Sequence, residues 1–228
     1  MEKKIKYGEW GREYNRSFST MPLSVVITTY NRKDVLKGLL DCLKKQTDKD
    51  FETIVVMDGC TDDTEQMLKQ YNGLNLRWLN TKMSTYGLAT ARNMGIRDAK
   101  DGPVVILDDD SYPDEDFVKQ HKKTAKRGTL VGGARLPDTK EDVDMLLYKM
   151  QDTLNKYGTT PKRLNSFIVE NNTCMMRSNW LQVPFDESIQ HYGGIGQDFI
   201  KRLIEGSYMF QFNPEAKITH MSKYKRRY

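Results

Sequence analysis

"LSVVITTYNRKDVLKGLLDCLKKQTDKDFETIVVMDG", Leu23–Gly59, reads as a strand, a helix and a second strand. Its first seven residues are β-branched or apolar almost throughout, as in a strand covered on both faces. The next stretch, 32–46, places Val35, Leu36, Leu39, Leu40 and Leu43 on one helical face. "FETIVVMD" returns to a buried strand. The alternation continues with a helix over 61–71, a strand over 74–80, a helix over 88–99 and the strand "PVVILD" over 103–108. In the 61–71 helix, Thr61 or Asp62 is the expected N-cap, and Asp62 and Glu65 have capping-box spacing. Strands alternating with helices mean βαβ units around a mainly parallel sheet, so the expected fold class is α/β.

The second half is less regular. It predicts a strand at 129–136, a helix at 141–157, one or two strands within 166–178, and a helix at 197–206 closed by Gly206. Two short strands follow, at 209–213 and 216–221. Residues 1–21 read as an arm with Tyr7, Trp10, Tyr14 and Phe18 at helical spacing.

The chain has 36 Lys+Arg against 31 Asp+Glu, a net charge of +5. Part of the excess lies in "EKKIK" near the start and "KYKRR" at 223–227. These are solvated tails or, in the sharper reading, a docking patch at the C-terminal tail for an anionic partner: nucleic acid, a membrane surface or an acidic glycan. No apolar run approaches the ~18–20 residues of a membrane span, and the N-terminus lacks the apolar stretch of a secretory signal. Cys42, Cys60 and Cys174 form neither a metal pattern nor a disulfide framework, which points to a reducing cytoplasm.

In open parallel α/β sheets, ligands bind beyond the carboxyl ends of the strands. Here those ends are Thr28-Thr29-Tyr30-Asn31, Asp58-Gly59 and Asp108-Asp109-Asp110. Adjacent carboxylates repel one another, and a cation relieves that repulsion. Mg²⁺ and Mn²⁺ take carboxylate and phosphate oxygens. Residues i and i+2 of an extended segment share a face, so Asp108 and Asp110 are the expected pair. The competing reading is an acidic turn that caps the next helix, with Asp114 as the cap. Asp58 can accept a hydrogen bond from a base ring N–H, Tyr30 can stack on the base, and Arg92 can pair with phosphate or form a surface ion pair. Glycine-rich nucleotide loops are absent after the first strand.

"PLSVVITTYNR", "IVVMDGCTDDT", "GLATARNMGI" and "ILDDDSYPDEDF", followed by "VPFDES" and "ITHM", resemble in order the motifs of the family 2 glycosyltransferases, which have the GT-A fold. The resemblance implies a single domain over 22–222 between the arm and the 223–228 tail. Residues 22–117 would bind the nucleotide sugar and 118–222 would form the acceptor side. Thr28, Tyr30 and Asp58 would surround a uracil-like base, with Asn31 and Arg32 in the same nucleotide-binding set. Arg92 would lie near the diphosphate. Asp108 and Asp110 would hold Mn²⁺ or Mg²⁺, with Asp109 beside them, and His220 would complete the metal site.

Two departures stand out. Met57-Asp58 carries one acid where the family often has two. The late Gly-Glu-Asp element that usually supplies the catalytic base appears as "HYGGIGQDFIKRL". Read as "GQD", it makes Asp198 the base. Aligned on Gly193-Gly194 and Arg202-Leu203, it puts Gly196 at the base position. Asp198 is the lone carboxylate of the stretch and is the assigned base, with an N-cap as its structural alternative. Asp186 and Glu187 come next.

The implied activity is metal-dependent, inverting transfer of a sugar from a nucleoside-diphosphate sugar, a UDP-sugar first, to an acceptor hydroxyl. The acceptor is a glycan, a lipid-linked glycan, a protein or modified nucleic acid. The rivals are a nucleotidyltransferase and a non-catalytic module binding sugar nucleotides or nucleic acid.

Overall fold

A computed structural model describes residues 18–138 and 170–221. Most of the N-terminal arm, the helix expected at 141–157, the apolar start of the 166–178 stretch and the basic tail lie outside the described residues.

The strands are β1 (Leu23–Thr29), β2 (Phe51–Met57), β3 (Leu76–Asn80), β4 (Pro103–Asp108), β5 (Ser111–Pro113), β6 (Thr129–Pro137), β7 (Thr173–Met176) and β8 (Met209–His220). The helices are α1 (Lys33–Lys44), α2 (Thr64–Gln70), α3 (Leu88–Asp98), α4 (Phe117–Thr124), α5 (Arg177–Gln182) and α6 (Ile195–Glu205). The strands form one sheet in the order β3-β2-β1-β4-β7-β6-β8-β5. β3, β2, β1 and β4 run parallel, β7 is antiparallel to β4 and β6, and β8 runs parallel to β6. The mixed α/β class expected from the sequence is the one observed.

Every residue of β1 and β2 is buried because the sheet is covered on both sides. Val26, Ile54, Val56, Val104 and Ile106 pack with residues of α3 and α6. Their neighbours Val25, Ile27, Val55, Val105 and Leu107 pack on the other face with Leu36, Leu39, Leu40 and Leu43 of α1, and the fifth residue predicted for that stripe, Val35, is buried as well. Strand periodicity thus feeds two cores from one sheet. The register sets Thr28 opposite Asp108, and Thr29 opposite Met57, so the polar strand ends share one rim.

Several local expectations are corrected. The two short strands expected at the end are one strand, β8. Pro214 lacks an N–H, and the pairing with β6 skips from Asn213 to Lys217 at that point. The strand expected to run on to residue 178 stops at Met176. Helix α5 begins there because Trp180 docks into the core, its indole N–H donating to the Val104 carbonyl at 3.1 Å. The N-caps of α2 and α4 are Asp63 and Asp116, neither with a side-chain cap bond, rather than Thr61, Asp62 or Asp114. Asp62 instead accepts the Thr64 N–H at 3.2 Å and the Thr64 hydroxyl at 2.6 Å.

A buried polar link fastens β7 to its neighbours. Fully buried His121 on α4 meets Asn172 Oδ1 at 2.8 Å, while the Asn172 amide donates to the carbonyls of Ala134 and Ala216, each at 2.9 Å. Burial pushes the imidazole down from 6.5 to about 4. Between those values the unfolded chain binds a proton that the folded chain refuses, so stability falls as pH falls. The expected loss between pH 7 and pH 4.5 is about 2–3 kcal/mol. Denaturant melts should show it, and His121→Gln, which cannot take the proton, should lose less over the same interval.

Candidate functional site

The first wall of the rim is the β1–α1 turn. Thr28 is buried at the end of β1, and Tyr30 stands 48% exposed beyond it, its ring open to a stacking partner. Asn31 adopts φ 50°, a conformation that asparagine tolerates better than most residues. Its side-chain oxygen accepts the N–H groups of Thr61 and Asp62 at 2.7 and 3.2 Å, tying the loop after β1 to the loop after β2. That side chain is part of the scaffold of the rim.

Asp58, at the end of β2, is 8% exposed. It accepts the Gly87 N–H at 2.9 Å and the Thr81 hydroxyl at 3.2 Å. Burial raises its pKa, against the opposing effect of those two bonds. A Cβ at Gly87 would lie 2.5 Å from Asp58 Oδ1, so a larger residue there would push the carboxylate aside. These two bonds use one acceptor site on each carboxylate oxygen.

The three aspartates part company. β4 ends at Asp108, and Asp109 and Asp110 form the turn into β5. The strand alternation expected to put Asp108 and Asp110 on one face therefore stops at Asp108. Asp108 accepts from Arg92 Nη2 at 3.0 Å, and its backbone N–H donates to Asn171 at 3.0 Å. Asp109 takes the Thr29 hydroxyl and Arg32 Nη1, each at 2.8 Å, which makes it a brace between β1 and the turn. Asp110 Oδ2 takes Arg32 Nη1 at 3.1 Å and lies 3.7 Å from His220 Nε2. Burial, with Arg135 adding to it, holds His220 below the usual histidine value, against the opposing effect of Asp110 and Asp108.

Asp110 Oδ1 is buried with no hydrogen-bond partner. An orphaned carboxylate oxygen at a strand-end rim is the kind of atom that an ion or a water satisfies. Arg32 pairs with Asp109 and Asp110, and Arg92 pairs with Asp108. Among the described residues no three acidic, histidine or cysteine side chains form a ready-made metal cage. A cation at this rim would have to take one or two of these side chains and draw its other ligands from elsewhere.

On the other wall, the N-cap of α6 is Gly194 at φ 88°, not Asp198. Asp198 lies within the first turns, its Oδ2 holding Arg202 Nε at 2.8 Å and Nη2 at 2.7 Å. Arg202 also donates to the Pro184 carbonyl at 2.7 Å. Asp186 caps its own loop by accepting the Ser188 N–H. Glu187 accepts from Thr90, Asn93 and Arg97 on α3.

Sequence reasoning placed Thr29 on the rim but gave it no partner, and it named neither Asn171 nor Glu170; of these three, Thr29 braces Asp109, Asn171 holds the Asp108 N–H and Glu170 faces Arg92. The signal for the last two was present: "ENN" interrupts an apolar stretch immediately before a buried strand. A separate groove of about 630 Å³, bordered by Cys42, Pro113 and Lys217, contains none of the residues named for the site.

Comparison with known proteins follows the same lines. Residues 24–183 match the family model described as "Glycosyl transferase family 2". The chain is 28% identical over 245 residues to a chondroitin synthase of Escherichia coli, a match covering 86% of this chain and 35% of that protein. It is 34% identical over 122 residues to a hyaluronan synthase of Pasteurella multocida, covering 51% and 13%. The chain thus spans about a third or less of these two relatives. Staphylococcus aureus TarS 1–349 in complex with UDP-GlcNAc superposes with a TM-score of 0.69 at 20% identity, over 91% of this chain and 60% of that one. The mannosyltransferase PcManGT of Pyrobaculum calidifontis, in complex with GDP-Man and Mn²⁺, gives 0.66 at 20% identity over 87% and 56%. These two likenesses establish a shared fold. Among the described residues no helix is long and apolar enough to cross a membrane.

Proposed function

Since the chain belongs to glycosyl transferase family 2, we propose that it transfers a sugar, with inversion, from a nucleoside-diphosphate sugar to an acceptor hydroxyl with the help of a divalent cation. The observation that carries this reading is the orphaned Asp110 oxygen on a rim shared with Asp58 and Asp108. A UDP-sugar is the first choice of donor, and the complex of TarS with UDP-GlcNAc supports it by analogy.

In this mechanism Tyr30 stacks on the base, and Asp58 accepts its ring N–H at the floor of the site. Arg32 and Arg92 hold the aspartates in place against their mutual repulsion. Asp110 and its neighbour His220 would hold Mn²⁺ or Mg²⁺, with the remaining ligands drawn from the donor. When bound, that ion supplies a positive charge against the growing charge of the leaving diphosphate. An inverting displacement needs a base on the face opposite the diphosphate. Asp198 and Glu170 are the carboxylates that border the start of α6. The nucleotidyltransferase alternative wants a glycine-rich phosphate loop after β1, and the observed turn is built from Tyr30, Asn31 and Arg32.

The test is a panel of UDP- and GDP-sugars scored for Mn²⁺-dependent thermal stabilisation and nucleotide release. A UDP-sugar should stabilise and turn over. No response to any donor would sink the reading. Within that panel Asp58→Asn should weaken UDP binding by about 1.5–3 kcal/mol, the range for a hydrogen bond to a charged group. Equal affinity of the unaltered protein for UDP and GDP would remove base selection from Asp58.

A further inference from the structure

The first turn of α6 has a gap, and something fills it. Gly196 is buried, and a Cβ built on it would collide with the Glu170 carboxylate, lying 2.5 Å from Cδ. The φ of Gly196 is one that any residue adopts in a helix, so its backbone does not demand glycine. The space that a Cβ would take is occupied by the end of the Glu170 side chain, which a larger residue would displace. Glu170 stands just before β7 and reaches across to α6, so the carboxylate missing from position 196 is present there in space.

Its surroundings suit a proton acceptor better than those of its neighbours. Among the described residues, the only polar contact of the Glu170 carboxylate is Arg92 Nη1 at 3.6 Å, too long for a hydrogen bond. The side chain is 28% exposed, open enough for a hydroxyl to reach. Through Arg92 it is one residue removed from Asp108 on the donor rim. The other carboxylates near α6 are committed: Asp198 to Arg202, Asp186 to Ser188, and Glu187 to three donors of α3.

Resting on the transfer reading above, we propose that Glu170 is the general base. The acceptor O–H bond breaks and its proton passes to a Glu170 carboxylate oxygen. The freed oxygen pair forms the bond to the anomeric carbon. The bond from that carbon to the diphosphate breaks, and its electron pair leaves with the nucleoside diphosphate. Glycine at 196 and glutamate at 170 form a matched pair, the absence of one side chain making room for the other.

The experiment measures UDP–Mn²⁺ binding by calorimetry and UDP release from UDP-GlcNAc and the donor panel, with melting temperature as the folding control. Glu170→Gln and Glu170→Ala should bind UDP within about threefold of the unaltered protein and lose at least ~10²-fold in turnover, the usual share of a general base. Adding Gly196→Asp to Glu170→Ala puts a carboxylate back into the same space from the other side. It should regain at least ~10-fold over Glu170→Ala. An unaltered protein that turns over donor beside an equally active Glu170→Gln overturns the assignment and leaves the transfer reading standing. So does loss of turnover in Asp198→Asn with Glu170→Gln unaffected. An unaltered protein that neither binds UDP with Mn²⁺ nor releases it from any donor defeats the transfer reading, and the assignment falls with it.

Discussion

Asp110→Ala is expected to abolish Mn²⁺-dependent UDP binding, weakening it by at least ~10²-fold. A carboxylate that merely supports a metal ligand already commands ~10–100-fold in affinity, and a ligand should command no less. The fold should survive, because Arg32 keeps its 2.8 Å bond to Asp109 and β1 stays braced by Thr29. The orphaned Oδ1 disappears with the side chain, so removing it costs no native hydrogen bond on that atom. Asp110→Asn separates charge from shape, since it fills the same space but is a poor ligand for a hard cation. Both variants should bind UDP in the presence of a chelator as weakly as the unaltered protein does. Calorimetry with and without chelator makes the measurement. Unchanged Mn²⁺-dependent affinity in Asp110→Ala would take Asp110 out of the metal site.

The parts of the fold that were legible in the sequence are those where one periodicity runs uninterrupted. β1, β2, β4 and the buried stripe of α1 are set by local pattern, and the structure repeats that pattern residue for residue. What failed depended on contacts distant in sequence. Trp180 turns a strand-like run into a helix because Val104 and the Phe185–Phe199 pair wait for it. Pro214 was visible, but its effect was a slipped register with β6 rather than a break between two strands. The site divides in the same way. Asp58 and the three aspartates could be read because strand ends place them. Their division of labour could not, because Arg32, Arg92 and Asn171 decide it from other elements. Glu170 stands out in the sequence only as the first residue of "ENN"; its contact with α6 could not be read, because it involves a glycine 26 positions later.

Arg92 joins the two halves of that site, and its removal should hurt both stability and turnover. The side chain is 1% exposed, its guanidinium 5.3 Å from the centre of the Phe185 ring, 3.0 Å from Asp108 and 3.6 Å from Glu170. Arg92→Met would keep most of the apolar packing and strip the charge from between two carboxylates. Breaking a buried pair by deleting one partner costs ~3–5 kcal/mol. The lower end applies here, since Asp108 and Glu170 keep some contact with water. About 3 kcal/mol in a domain of this size lowers Tm by roughly 6–12 °C. Turnover should fall at least ~10²-fold, because two released carboxylates repel the diphosphate and each other. Arg92→Lys restores one positive charge but not the planar fork that faces both acids at once. It should regain most of the lost melting temperature and leave turnover at least ~10-fold down. Full recovery of turnover in Arg92→Lys would reduce the role of Arg92 to charge alone. An Arg92→Met protein that melts within about 2 °C of the unaltered one would mean the cluster carries little of the domain's stability. If that protein also turned over normally, Asp108 and Glu170 would not need the guanidinium to hold their places.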